Sequence, residues 1–240
     1  MSQETTPQPG SRTAGVLGGM GPDATVDFMA KVIAATTAAN DQEHARMLVD
    51  HNPKVPNRQA ALLGDGEDPG PTLAAMAAGL QNAGADFLVM PCNTAHAYAD
   101  DIRAAVSIPL VSIIDVTVDA CRGKGAVGVL ATDGCLKTGI YQDALRQANI
   151  ECVLPNADET AELMRLISAI KAGDRSEAVA SAMRDVANAQ VARGARAIIA
   201  GCTEIPLVLT DDLLEVPLVS STDVLAALTA AIAAGQRPID

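Results

Sequence analysis

The stretch Leu88–His96, with the sequence LVMPCNTAH, decides the fold of this chain. Its apolar residues end abruptly in a proline, a cysteine and two small polar residues. This pattern is typical of a buried strand that leads into the start of a helix. A second stretch of the same kind, Ala197–Pro206 (AIIAGCTEIP), again ends an apolar run in a cysteine followed by a threonine. The sequence therefore predicts two strand-end thiols, Cys92 and Cys202.

Segments of strand length alternate with segments of helical periodicity along the rest of the chain. This alternation predicts an α/β fold with parallel sheets and right-handed crossovers. Ligands of such sheets bind at the carboxyl ends of the strands. The glycine-rich turn Gly18–Gly21 also follows a strand, so it is either an anion-binding turn or only a tight strand-to-helix connection. Residues 131–138 are predicted as a loop, and residues 94–105 as a helix.

The chain contains an internal repeat with three nearly constant offsets of 113, 110 and 108 residues. The matched segments are GVLGG at Gly15 and GVLAT at Gly128, GADFLVMPCNTA at Gly84 and GARAIIAGCTEI at Gly194, and IPLVSIID at Ile108 and VPLVSSTD at Val216. A duplicated lobe explains them. We therefore expect two similar, pseudo-twofold-related lobes, each a parallel sheet flanked by helices, with the active site in the cleft between them.

The predicted lobe boundaries follow from this repeat. Residues 14–112 together with 222–240 form the first lobe, and residues 113–221 form the second. Residues 1–13 are polar and unpatterned, which predicts a disordered leader.

Composition excludes several classes of function. The chain of 240 residues has a net charge of −12, no tryptophan, two tyrosines and two phenylalanines. A negative surface with few aromatic rings argues against nucleic-acid binding. No apolar run is long enough for a membrane helix, and no signal peptide is evident. Five scattered cysteines, an odd number without a CxxC pair, indicate reduced thiols in the cytoplasm.

Two facing thiols suit proton transfer at a carbon atom. A helix N-terminus favours a thiolate, so we expect a lowered cysteine pKa. One thiolate removes a proton from one face of the carbon and the opposite thiol delivers a proton to the other face, which inverts a stereocentre. Asn93, Thr94 and Thr203, with backbone N–H groups, are candidates for binding the substrate α-carboxylate. This chemistry requires no metal and no other cofactor.

The other cysteines have no partner in the repeat. A single cysteine is usually a small buried hydrophobe, and we interpret Cys121, Cys135 and Cys152 in this way.

The motifs VMPCNTAH (Val89–His96), IIAGCTEIP (Ile198–Pro206) and GGMGPDAT (Gly18–Thr25) resemble those of the cofactor-independent aspartate/glutamate racemase superfamily. The resemblance covers about residues 14–235. It implies a two-lobed α/β fold, an acidic amino-acid substrate, no cofactor, a homodimer and an acid–base pair formed by Cys92 and Cys202. The GCTE and GGMG sequences resemble the aspartate and broad amino-acid racemases more than the glutamate racemases of cell-wall synthesis.

The resemblance also implies roles for individual residues. Asn52–Arg58 is similar to a loop whose arginine contacts the side-chain carboxylate of the substrate, which makes Arg58 the candidate; the alternative is a solvated surface arginine. Lys171 and Met20 are the further substrate-binding candidates, although Lys171 also suits a helix end. Glu204 is expected to orient Cys202 or the helix that follows it, and His96 to lie behind the site as a packing group more than as a base.

We therefore expect an enzyme that interconverts L- and D-aspartate, and glutamate less readily. Three alternatives stay open from the sequence. They are a maleate-type cis–trans isomerase with one nucleophilic cysteine, a hydantoin racemase, and a non-catalytic amino-acid sensor built on the same fold.

Overall fold

The computed structural model describes residues 11–239. The first lobe is built on four parallel strands in the order β2-β1-β3-β4. Its elements are β1 (Ala14–Gly18), α1 (Pro22–Ala35), β2 (Met47–His51), α2 (Arg58–Leu63), α3 (Gly70–Asn82), β3 (Phe87–Val89), α4 (Ala99–Ala105) and β4 (Leu110–Val111), with 3₁₀ turns at Asp41–Glu43 and Thr94–Tyr98.

The second lobe is built on four parallel strands in the equivalent order β6-β5-β7-β8. Its elements are α5 (Ile113–Ala120), β5 (Val127–Leu130), α6 (Asp133–Thr138), α7 (Ile140–Gln147), β6 (Cys152–Val153), α8 (Ala157–Lys171), α9 (Glu177–Ala192), β7 (Ala197–Ala200) and β8 (Leu218–Ser220), with 3₁₀ turns at Ile205–Leu207 and Asp211–Leu213. Helix α10 (Ser221–Ala233) follows β8. The predicted α/β fold with two lobes is confirmed.

Three clusters of buried apolar side chains form the core of the protein. The central one joins both lobes, since Phe28 and Phe87 of the first share one cluster with Tyr141 and Leu145 of the second. Outer clusters lie under α3 and α4 in the first lobe and under α8 and α9 in the second. Strands β1, β3, β5 and β7 are completely buried, as expected for parallel strands covered on both faces.

Two glycines at matched positions of the repeat end equivalent helices. Gly84 follows α3 with φ of 94°, and Gly194 follows α9 with φ of 107°. A left-handed residue after a helix lets the chain reverse and enter the next strand, which is β3 in one lobe and β7 in the other. The repeat therefore delivers both cysteine-bearing strands by the same turn.

The structure corrects two local predictions. The loop predicted for residues 131–138 is wrong, because α6 forms there; Thr132 caps this helix by accepting a hydrogen bond from the Cys135 N–H at 3.3 Å. The helix predicted for residues 94–105 begins as a 3₁₀ helix over Thr94–Tyr98 and becomes α-helical at Ala99.

Residues 1–10 of the predicted leader lie outside the described residues. At the first described residues, the Arg12 N–H donates to the carbonyl of Ala233, and the Thr13 N–H donates to Asp86 at 2.6 Å. Helix α10 packs on both α1 and α5. The lobe boundaries drawn from the sequence stay a prediction. Among the described helices, none is sufficiently long and apolar to cross a membrane.

Candidate active site

A cleft of about 610 Å³ opens between the lobes at the carboxyl ends of β1, β3, β5 and β7. Both strand-end cysteines line it. The cleft also brings together the other residues that the sequence proposed for catalysis or substrate binding. The full set of these lining residues is Met20, Arg58, Cys92, Asn93, Thr94, Lys171, Cys202 and Thr203, and Glu204 lines the cleft as well.

Cys92 is presented by a tight turn after β3. Its backbone N–H donates to the carbonyl of Met90 at 2.8 Å, and its own carbonyl accepts from His96 Nδ1 at 2.9 Å. The other ring nitrogen of His96 accepts the N–H of Ile113 at 3.2 Å, so the single ring proton lies on Nδ1. Burial lowers the pKa of His96 to about 4. His96 is not among the residues that line the cleft, and it supports the Cys92 turn from behind.

Asn93 joins the two cysteine motifs through buried hydrogen bonds. Its Oδ1 accepts from the Tyr141 hydroxyl at 2.6 Å, and its Nδ2 donates to Ser221 Oγ at 3.0 Å. Ser221 in turn donates to the carbonyl of Ala200, two residues before Cys202, at 2.8 Å. The chain of bonds fixes the end of β3 relative to the end of β7.

Thr94 makes a second connection between the lobes. Its hydroxyl lies 2.8 Å from that of Thr132, which also lines the cleft and caps α6. Thr203 occupies the matching wall of the second lobe. Its buried hydroxyl has no hydrogen-bond partner within residues 11–239, which is unusual for a buried polar group.

Cys202 lies in a line of interacting groups with Glu204 and Lys171. The Cys202 thiol donates to Glu204 Oε2 at 3.0 Å, while Glu204 Oε1 pairs with the Lys171 ammonium. Burial, and after it the charge of Glu204, raises the pKa of the Cys202 thiol well above its usual range; Lys171 opposes this only in part. The lowered pKa that the helix N-terminus predicted is therefore wrong for Cys202.

Lys171 reaches the cleft from the last residue of α8, with 41% of its side chain exposed. Burial alone lowers the pKa of Lys171, but Glu204 and the cysteine sulfurs outweigh it, so the pKa is raised. The ammonium is therefore charged at neutral pH, and it balances a carboxylate that is almost fully buried.

Arg58 begins α2 and lies half-buried in the cleft wall. Its Nη1 donates to the carbonyls of Val55 and Pro56 at 3.2 and 3.1 Å. Its Nε is buried and has no hydrogen-bond partner in the described part of the chain. Part of the guanidinium is thus used to shape its own loop, while its Nε has no partner among the described residues.

Met20 is buried at the base of the cleft and packs in the same apolar cluster as Cys92.

Within residues 11–239, no group of three or more His, Cys, Asp or Glu side chains is arranged to hold a metal ion. The cleft therefore offers two thiols, two cations and one buried carboxylate. This set can bind a small anion and move protons at it.

Several residues of the site were not predicted. Thr132 could have been found, because the repeat aligns it with Gly19 of the first glycine-rich turn. Tyr141 and Ser221 contact Asn93 from positions 48 and 128 residues away in sequence, and no local pattern marks them. Gln59, which also lines the cleft, shows no signal beyond its place beside Arg58.

Fold and site define a class of proteins with two parallel-sheet lobes and a strand-end cysteine from each lobe in a shared cleft. The family model for Asp/Glu/Hydantoin racemase matches residues 17–229. The chain therefore belongs to the Asp/Glu/hydantoin racemase family. The resemblance stated from the motifs, and the isomerase class it implied, are confirmed.

Individual relatives agree with this assignment. The chain is 30% identical over 221 residues to the broad specificity amino-acid racemase RacX of Bacillus subtilis, covering 90% of this chain and 95% of the relative. It is similar to the structure of Picrophilus torridus aspartate racemase, with a TM-score of 0.84, 29% identity and coverage of 94% and 95%. Glutamate racemase from Francisella tularensis shares the fold, with a TM-score of 0.64, 20% identity and coverage of 91% and 79%.

Proposed function

We propose that this protein racemises an acidic amino acid, aspartate in preference to glutamate, by proton transfer at the α-carbon between Cys92 and Cys202 without a cofactor. The observation that carries the proposal is the presence of both thiols, one from each lobe, in a single cleft that also holds Arg58 and Lys171. The preference for aspartate is supported by the likeness to an aspartate racemase over almost the whole chain.

Substrate binding comes first in the proposed mechanism. The unpaired Thr203 hydroxyl and the free N–H groups at the start of the 3₁₀ helix Thr94–Tyr98 are suitable donors to the α-carboxylate. Arg58 carries the charge that suits the side-chain carboxylate. A neutral amino acid would leave Arg58 without a partner, and this difference favours an acidic substrate.

Proton transfer follows. For one enantiomer, the Cys92 thiolate takes the α-proton, and the electron pair of the broken C–H bond is delocalised into the α-carboxylate. The Cys202 thiol then gives its proton to the opposite face, which leaves Cys92 as a thiol and Cys202 as a thiolate. For the other enantiomer the two thiols exchange roles. No net proton is gained or lost in either direction.

Glu204 supports the second thiol. Because its carboxylate already accepts the Cys202 hydrogen, it is placed to take that proton when Cys202 must become a thiolate. Lys171 compensates the buried charge of Glu204 on the other side. The repeat aligns Glu204 with Thr94, so the first lobe has no equivalent carboxylate beside Cys92. The two halves of the cleft therefore hold their thiols in chemically different surroundings.

The test is cofactor-free incubation with single enantiomers of aspartate and glutamate, followed by chiral chromatography. Appearance of the opposite enantiomer, faster for aspartate, supports the proposal. Turnover of maleate with a covalent succinyl adduct on one cysteine would instead establish the cis–trans isomerase. Tight amino-acid binding without any racemisation would establish the sensor, and turnover of hydantoins alone the hydantoin racemase.

The protein is further proposed to act as a homodimer in the cytoplasm, where its five free cysteines stay reduced. Val26 and Ile33 of α1 are 62% and 51% exposed and lie seven residues apart on one face of the helix. A second copy of the chain would cover this apolar face. Light scattering should give twice the chain mass, and V26D/I33D should give a monomer; a monomeric wild type contradicts the dimer.

A further inference from the structure

Gln59 of α2 connects the first lobe to two helices of the second lobe. Its Oε1 accepts the backbone N–H of Gly134 in α6 at 2.9 Å, and its Nε2 donates to the sulfur of Met164 in α8 at 3.6 Å. The same sulfur accepts the N–H of Asp133 at 3.3 Å. We call the contacts of Gln59 with Gly134 and Met164 the Gln59 clasp.

The clasp depends on a glycine. A Cβ atom at position 134 would lie far inside the contact distance to Gln59 Oε1, so any side chain there must displace the glutamine. The backbone of Gln59 is fixed within the first lobe, because the side chain of Asn57 accepts the N–H of Gln59 at 3.0 Å and that of Ala60 at 3.3 Å. The clasp is therefore supported by Gly134 in the second lobe and by Asn57 in the first.

Helix α2 meets helix α6 of the second lobe at the clasp. None of the six residues of α2 is fully buried, so its position depends on polar contacts as well as on partly buried side chains such as Leu62, which lies close to Gly134. Arg58 is the first residue of this helix, and its Nη1 is tied to the loop immediately before it. The position of the guanidinium therefore follows the position of α2, which the clasp helps to fix.

The clasp also sets the distance between the two cations of the cleft. Met164 lies on the same helix as Lys171, seven residues earlier, or roughly 10 Å along the helix axis. Gln59 thus connects the element that carries Arg58 to the element that carries Lys171. A dicarboxylate ligand that must contact both walls of the cleft needs this separation to be fixed before it binds.

We propose that Gln59 is a positioning residue, which holds Arg58 over the cleft through the clasp and so sets the affinity for a dicarboxylate amino acid. This inference rests on the proposed function. It adds Gln59, which makes no hydrogen bond to either thiol, to the residues that determine substrate binding. The clasp acts on binding of the substrate and not on the proton transfer itself.

The experiment uses Q59M, which keeps the volume of the side chain and removes both hydrogen bonds of the clasp. We expect the KM for aspartate to rise about tenfold while kcat stays within about twofold, as for the loss of one or two hydrogen bonds that act on binding. A purely structural defect would lower kcat through loss of folded enzyme and leave KM unchanged. Q147A, at an exposed glutamine of α7, is the matched control and should behave as the wild type.

G134A offers an independent route to the same state, because the new methyl group displaces Gln59. It should reproduce the KM of Q59M, and the double variant Q59M/G134A should be no worse than either single variant. Additive losses, or an unchanged KM in Q59M, would overturn the clasp.

Titration with succinate, an unreactive dicarboxylate, separates this inference from the proposed function. The wild type should bind succinate about ten times more tightly than Q59M. If the wild type binds succinate about ten times more tightly than Q59M and shows no racemisation, the proposed function fails and the clasp stands. If both proteins bind succinate equally, the clasp fails whatever the activity.

Discussion

Cys202 donates its thiol hydrogen to Glu204 across 3.0 Å between Sγ and Oε2. The other oxygen of this carboxylate pairs with Lys171, so the thiol in the second lobe belongs to a network of three residues, and the repeat places Thr94 where the first lobe would need an equivalent carboxylate. This arrangement gives a pseudo-symmetric fold an asymmetric site. It also explains why Cys202 is a thiol at rest, since both burial and a neighbouring anion favour its protonated form.

Replacing either cysteine of the cleft by serine should abolish racemisation. A serine hydroxyl is not ionised near neutral pH, so it cannot act as the base that removes the α-proton, and kcat should fall by at least about 10³-fold in both C92S and C202S. Chiral chromatography of the product measures the loss. C152S, at a half-buried cysteine of β6 outside the cleft, is the control and should retain wild-type turnover. A C92S or C202S enzyme that kept near-wild-type turnover would eliminate the two-base mechanism.

The isosteric substitution Glu204→Gln should lower the pKa of Cys202, because it removes the negative charge that raises it. In a C92S background, alkylation of Cys202 by iodoacetamide, followed by peptide mass spectrometry, should therefore begin at lower pH than in C92S alone. Turnover of the single variant E204Q should nevertheless fall about 10- to 100-fold, since the acceptor for the Cys202 proton is lost. An alkylation profile that does not move, or that moves to higher pH, is incompatible with this account.

His96 should make stability fall in mild acid. Its pKa of about 4 in the folded protein lies below the value of 6.5 that the unfolded chain has, so the unfolded state binds more protons between these values. The contribution of neutral His96 to the free energy of unfolding is complete above about pH 6.5. It is lost as the pH falls towards 4, and the total loss is about 3 kcal/mol. Urea unfolding at several pH values in this window measures it.

The control for His96 is H96Q, which keeps an oxygen that can accept the N–H of Ile113 but does not titrate. Its unfolding free energy should vary less between pH 4 and 6.5 than that of the wild type. Equal slopes for the two proteins would show that another group causes the acid sensitivity.

Tyr141 should contribute to stability through Asn93. Y141F leaves the buried Oδ1 of Asn93 without its donor, and the free energy of unfolding should fall by about 1–3 kcal/mol. Y98F, at a partly buried tyrosine outside this network, should be nearly neutral. Denaturant unfolding compares the two; a Y141F protein as stable as Y98F would mean that the bond to Asn93 contributes nothing net.

The features that depend on strand ends and on the internal repeat could be predicted from the sequence. Cys92 and Cys202 each follow a buried parallel strand at the carboxyl edge of its own sheet, where ligands bind, and the repeat makes the two positions equivalent, so their presence in a cleft was predictable. The strands themselves were predictable because their apolar runs are bounded by glycine and proline.

What escaped prediction depends on contacts between distant parts of the chain. Gln59 and Gly134 lie 75 residues apart, and nothing in either neighbourhood indicates that they meet. Helix α6 was missed because it has only six residues and its start depends on the Thr132 cap. The pKa of Cys202 was predicted in the wrong direction, since the argument from the helix dipole did not include burial or the carboxylate two residues further on.

Incubation with L-aspartate in D₂O without added cofactor shows whether the protein exchanges the α-proton of an acidic amino acid. Loss of the Cα–H signal in the NMR spectrum, together with the appearance of D-aspartate, is the predicted result, and it should disappear in both C92S and C202S. Retention of the Cα–H signal by L-aspartate and by L-glutamate, in a folded protein that binds them, would contradict the account.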